Sequence, residues 1–137
     1  MENPPPGQTT TKSSTGLDEN IAALLSYVFG WISGLVFFLI EKDSRLVRFH
    51  AMQSIILNGS LIILMIALGI ASTVLGLIFG YISGLLGTLV GLITWLLMMA
   101  VGIAALVGWV MCLIKAYNKE FFKLPFIGNF AEKFSAK

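Results

Sequence analysis

Residues 51–114 read AMQSIILNGSLIILMIALGIASTVLGLIFGYISGLLGTLVGLITWLLMMAVGIAALVGWVMCLI: 64 residues without one Asp, Glu, Lys, Arg or His. The surface of a soluble domain must meet water, and a chain of 137 residues cannot bury an apolar stretch of this length. The rest of the composition agrees. The chain is 57% hydrophobic and 12% charged, against about 25% charged in an ordinary soluble domain, and its mean hydropathy is +0.89. A soluble enzyme, a secreted disulfide scaffold and a nucleic-acid-binding domain are excluded. A small, all-α integral membrane protein remains.

At about 20 residues per crossing, the run holds two long helices and a turn, or three short helices with almost none. The densest breaker cluster, Gly80-Tyr81-Ile82-Ser83-Gly84, suits one hairpin turn. Before the run, residues 21–40 carry no charge and at ~1.5 Å per residue match the ~30 Å hydrocarbon thickness. This reading gives three spans, at about 21–40, 51–79 and 85–114. An echo between VFGWISGL (28–35) and IFGYISGL (78–85) supports the alternative of four. Charge favours three. Eight of the nine Lys and Arg residues then share one side with the 41–50 loop and the C-terminal tail, leaving Lys12 alone on the other. By the positive-inside rule the loop and tail are cytoplasmic and the N-terminus is outside. The protein is expected in the cell membrane, multi-pass, with the lipid bilayer as its first partner.

Residues 1–16, rich in Pro, Ser, Thr and Gly, read as a disordered tail, with nothing to bury and a polyproline II bias. No basic leader or cleavage site marks a secretory signal, and no lipidation pattern is present. Residues 17–114 form the transmembrane helical domain. Residues 115–137 form a cytoplasmic amphipathic tail in which Phe126, Phe130 and Phe134 recur every four residues. Such a segment lies flat on a membrane with its phenylalanines down and its lysines near anionic lipid.

Gly30 and Gly34 in the first span, and Gly76, Gly80 and Gly84 around the turn, are candidate packing positions, because small residues let membrane helices approach closely. The unusual polar cluster is Arg45, Arg48, His50, Gln53 and Asn58. Asp43 or Ser44 can cap a helix starting at Arg45. On that helix His50, Gln53, Ser54 and Asn58 span an arc of ~140°, and both arginines point the other way. The cluster could bind a lipid phosphate or line a polar entrance. Alternatively, its members anchor the helix and hydrogen-bond neighbouring helices. The single cysteine, Cys112, reads as a small apolar packing residue. No catalytic set, phosphate loop, cofactor motif or metal-ligand spacing is visible.

Three segments carry a family resemblance: DENIAALLSY at 18–27 followed by Glu41-Lys42, VRFHAMQS at 47–54, and KLPFIGN at 123–129. Together they resemble a widespread family of small, uncharacterised prokaryotic membrane proteins, grouped loosely with the Tic-type chloroplast import subunits and the magnetosome Mam/Mms-type membrane proteins. The resemblance covers residues 17–134 and implies about three spans and no reaction, ligand or cofactor. The import subunits are drawn with four. The resulting expectation is a non-enzymatic protein acting by membrane assembly or partner binding, as a homo-oligomer or with another membrane protein. The alternative is a small channel, transporter or protein-translocation component. Nucleic acid is not an expected partner.

Overall fold

The computed structural model describes residues 12–135. The disorder expected for residues 1–11 lies outside the described residues. Among those described, one isolated bridge joins Lys12 and Asp18, and the rest of the regular structure is helical. The order is α1 (Glu19–Val28), α2 (Trp31–Ile40), α3 (Arg45–Ile82), α4 (Gly84–Tyr117) and α5 (Ile127–Ser135). The chain divides into two compact units, one drawn from Met1–Gly59 and Gly108–Lys137, the other Ser60–Val107.

The second unit is a helical hairpin. Ser83 alone separates α3 from α4, inside the expected breaker cluster. Backbone bonds from Ser83 N to Phe79 O (2.9 Å) and from Gly87 N to Ser83 O (3.1 Å) leave few unpaired groups at the turn. The helix backbones meet at glycines. A Cβ on Gly87 would stand 2.8 Å from Gly80 Cα and 3.3 Å from Gly76 O. Both helices are long and apolar enough to cross a membrane. Each overruns its expected span, because no residue between the caps disfavours helix strongly enough to end it. Leu77 and Ile63 are both 71% exposed, a surface that suits lipid and not water.

The first unit packs α1, α2, the start of α3, the end of α4 and α5 around Ala22, Ala23, Tyr27, Leu46, Val47, Cys112, Ala116 and Leu124. Here the structure corrects the expected first span. Residues 21–40 are not one helix but two of ten residues each, broken at Phe29–Gly30. Gly30, the residue before α2, has φ 64° and ψ −134°, a conformation that glycine alone adopts without strain. The chain doubles back there. The Ser44 hydroxyl, just past α2, donates to Glu19 Oε1 at the start of α1 over 2.6 Å. Among the described residues, two helices and not three are long enough to span a membrane, and three full-length spans are not confirmed.

A second correction concerns residues 12–16, assigned above to the disordered tail. The Ser14 N–H donates to both carboxylate oxygens of Glu41 (3.0 and 3.1 Å) and its hydroxyl donates to Oε1 (2.8 Å). The same hydroxyl accepts the Lys42 and Asp43 N–H groups (3.0 and 3.2 Å). Glu41 has no exposed surface, so these partners replace its water. Residues 12–16 and the 41–50 loop, for which the charge count gave opposite sides of the bilayer, are thus hydrogen-bonded to each other.

Candidate functional site

Three of the polar residues singled out in the sequence converge in the first unit. His50, Gln53 and Ser54 lie on one face of α3 and are fully buried. Their partners come from distant parts of the chain. His50 Nε2 stands 2.7 Å from the Glu120 carbonyl, which can only accept, so Nε2 carries the hydrogen. Nδ1 then accepts from the Tyr27 hydroxyl at 2.9 Å. Gln53 Nε2 donates to Tyr27 Oη (3.1 Å) and to the Phe122 carbonyl (3.0 Å), with Cys112 Sγ at 3.5 Å. Gln53 Oε1 accepts the Leu124 N–H at 3.3 Å. Phe49 and Tyr27 meet the imidazole edge-on, with ring centroids 5.2 and 5.6 Å away.

This arrangement ties the irregular segment between α4 and α5 to α1 and α3. A segment without helical bonds must find partners elsewhere for its backbone groups, and His50 and Gln53 supply three of them. Among the described residues, no buried side-chain nitrogen or oxygen lacks a hydrogen-bond partner.

The remaining members of the sequence cluster sit apart from this network. Asn58 Nδ2 bonds back to Ser54 O on its own helix (2.8 Å). Arg45 is exposed at the first turn of α3, which Ser44 caps by accepting the Val47 N–H at 3.3 Å. Arg48 turns to the end of α2. Its Nη1 donates to the carbonyls of Glu41 (2.8 Å) and Phe38 (3.4 Å), its Nε to Ser135 O (3.4 Å), and its guanidinium lies 4.5 Å from the Phe38 ring centroid. A cation at a helix C-terminus satisfies its open carbonyls and complements its dipole.

The packing glycines also divide. At Gly34 a Cβ would meet Ala51 O at 2.8 Å, so α2 and α3 touch backbone to backbone. Gly30 forms the turn, and its carbonyl accepts the Ser54 hydroxyl at 3.0 Å. Gly80 meets Gly87, whereas a Cβ at Gly76 or Gly84 would meet nothing within 4 Å.

A second polar centre, missed in the sequence, is the clasp of Ser14, Glu19, Glu41 and Ser44. Burial raises the Glu41 pKa. The N–H groups of Ser44, Ser14 and Asp43 and the Ser14 hydroxyl outweigh it and hold the carboxyl below its ordinary 4.5. The alternating charges of Glu41, Lys42 and Asp43 are a signal that could have marked a structured loop, but they say nothing of its partners, which lie 25 or more residues away.

In the tail, α5 buries Gly128, Ala131 and Ser135 and leaves Phe130 and Phe134 exposed, as is Phe126 just before it, by 83%. Lys123 pairs with Glu132.

Comparison with known proteins gives this architecture a setting. The chain is 43% identical over 124 residues to a UPF0132 membrane protein of Methanocaldococcus jannaschii, covering 90% of this chain and 94% of that one. It is 38% identical over 117 residues to a UPF0132 membrane protein of Archaeoglobus fulgidus, covering 85% and 95%. A second Methanocaldococcus jannaschii relative with the same description is 34% identical over 119 residues, covering 87% and 71%. No solved structure matches the chain. The link to chloroplast import subunits is not shown by these matches. Residues 15–131, from just past Ser14 into α5, match the MamF/MmsF family, and the chain belongs to this magnetosome magnetite crystal formation protein family of membrane proteins.

Proposed function

We propose that the protein works by assembling within the bilayer, with copies of itself or with another membrane protein, and is not an enzyme. The observation that carries this reading is the set of glycines left open in the second unit. A Cβ at Gly76, Gly84, Gly91 or Gly102 would meet nothing within 4 Å. Each glycine inside a helix costs ~0.5–1 kcal/mol relative to alanine. Within the hairpin this loss is not offset by close packing. Small residues on a lipid-facing helix do serve a close approach by another helix, which is how membrane helices associate.

The buried network supports the same reading over the channel or translocation alternative. That alternative needs the arc from His50 to Asn58 to line a polar path. His50 and Gln53 are instead engaged with the 120–124 backbone. The family description speaks of magnetite crystal formation. We take from the family its membrane setting and propose an organising role there.

The test is crosslinking in native membranes. Gly76→Cys should give a crosslinked product on mild oxidation or with a short bifunctional maleimide, and Gly91→Leu with Gly102→Leu should reduce it. Monomer alone, with no partner captured from any open glycine, overturns the reading.

A further inference from the structure

We propose that α1 and α2 form a re-entrant hairpin, dipping into the hydrocarbon of one leaflet and leaving on the side it entered. The chain then crosses the bilayer only through α3 and α4. Residues 12–20, the 41–44 loop and the 118–135 tail share one face. This stands apart from the assembly reading and needs only the membrane setting.

Length is the first argument. A ten-residue helix rises ~15 Å, half of the ~30 Å hydrocarbon core. Residues 21–40 carry no charge, and the tip is apolar, with Phe29 76% exposed and Trp31 and Ile32 also exposed. The two ends of the hairpin are its polar part, fastened by Ser14–Glu41 and Ser44–Glu19. A straight helix over 21–40 would hold Glu19 and Ser44 ~30 Å apart or more. Their side chains are 2.6 Å apart.

The second argument is backbone satisfaction at the break. Irregular backbone at membrane depth is tolerated only where protein satisfies its polar groups, and here it does. Phe29 N–H donates to Ser33 Oγ (3.1 Å), and the Ser33 hydroxyl donates to Ser26 O (3.0 Å). Gly30 N–H donates to Tyr27 O (3.1 Å), which also accepts the Trp109 indole N–H (3.0 Å). Gly30 O accepts the Ser54 hydroxyl and the Gly34 N–H. Three polar side chains, Ser33, Ser54 and Trp109, are aimed at one turn that water does not need to reach.

Charge is the third. With this topology all eight lysines and arginines among the described residues fall on one side. The opposite side receives only the turn at Ser83, with the 95% exposed Tyr81 beside it. The positive-inside rule is met more completely than by three spans, and that face is cytoplasmic.

The experiment is labelling with a membrane-impermeant maleimide in sealed vesicles of both orientations. It uses Leu17→Cys, Lys42→Cys, Asn129→Cys, Tyr81→Cys and Phe29→Cys, the buried Cys112 staying in place and the unsubstituted protein as control. Positions 17, 42 and 129 should label from the same side, position 81 from the other, and position 29 from neither until detergent is added. A nitroxide at position 29 should be relaxed by dissolved oxygen and not by a water-soluble nickel chelate. Position 17 opposite position 42 restores three spans, and position 42 opposite both 17 and 129 gives four. Either result overturns the proposal, as does aqueous access at 29. A nitroxide shielded from oxygen and nickel alike means a protein surface, such as a second copy, covers the tip, and also overturns it. The pair 17 and 42 decides the topology even if Phe29→Cys does not fold.

Discussion

Gln53→Leu removes a side chain that holds two backbone groups of the 120–124 segment and the Tyr27 hydroxyl, while keeping nearly the same volume. The Phe122 carbonyl and the Leu124 N–H lose their Gln53 partners at 3.0 and 3.3 Å. Gln53 has no exposed surface, so water does not replace these bonds without opening the unit. Leaving a buried donor or acceptor unmade costs ~1–3 kcal/mol each. Leucine recovers part of this by burying apolar surface, at most ~2 kcal/mol. The net expectation is a loss of roughly 3 kcal/mol, or about a hundredfold in the opening equilibrium of the segment. Hydrogen exchange in lipid nanodiscs reads this locally: the Leu124 amide should exchange about a hundredfold faster, with the α3–α4 hairpin unchanged. SDS titration should show a matching loss for the first unit. Asn58→Leu is the comparison, because its amide bonds back to its own helix at Ser54 O, and the change should stay near ~0.6 kcal/mol. Equal exchange at Leu124 in wild type and Gln53→Leu would refute the claim that Gln53 secures the tail.

Three further outcomes follow from the same geometry. Gly30→Ala forces an L side chain to φ 64°, with Asn58 Oδ1 3.1 Å from the new Cβ, and should cost ~1–3 kcal/mol, read by SDS titration and by increased labelling at Leu17→Cys. Gly34→Ala should destabilise by ~1–3 kcal/mol, since its Cβ meets the Ala51 carbonyl at 2.8 Å, whereas Gly59→Ala, with nothing within 4 Å, should stabilise by ~0.5–1 kcal/mol; shifts of the same sign would contradict the packing. The Glu41 carboxyl titrates below 4.5 when folded, so its stabilising effect is complete above pH 4.5 and fades as pH falls through the lowered value; the Ser14 amide resonance should be constant from neutral pH to 4.5 and move below it, a transition that Glu41→Gln removes.

The residues differ in how openly they state their structure. The α3–α4 hairpin was legible because 64 uncharged residues must be helical in a membrane and Ser83 lies in the densest group of breakers. Asp43 or Ser44 announced the start of α3 by residue type, and Ser44 is the one that caps it. The arc through His50 and Gln53 was legible from 100° periodicity, which places side chains on a face but does not say what the face meets. Their partners at Glu120, Phe122 and Leu124 are some 70 residues away, and backbone carbonyls and amides have no signature in sequence. The broken first span was not legible for a related reason. Glycine is tolerated inside membrane helices, so Gly30 looks the same in a straight span as in a turn. The Ser33, Ser54 and Trp109 bonds that stabilise the turn come from three different helices.

Those bonds also explain why the polar residues of this chain lie where they do. Ser26, Ser33, His50, Gln53 and Ser54 are buried and would each lower the hydropathy of a plain span without return. In the first unit Ser26 bonds back to Ala23 O on its own helix, and the other four are directed at the turn at Gly30 and the segment between α4 and α5. The second unit lacks such a segment apart from Ser83, and its described hydroxyls at Thr73, Thr88 and Thr94 bond back to their own helices. Most of the buried polarity of the first unit therefore serves irregular backbone. What the second unit carries instead is open glycine, and that is where a partner helix has room to approach.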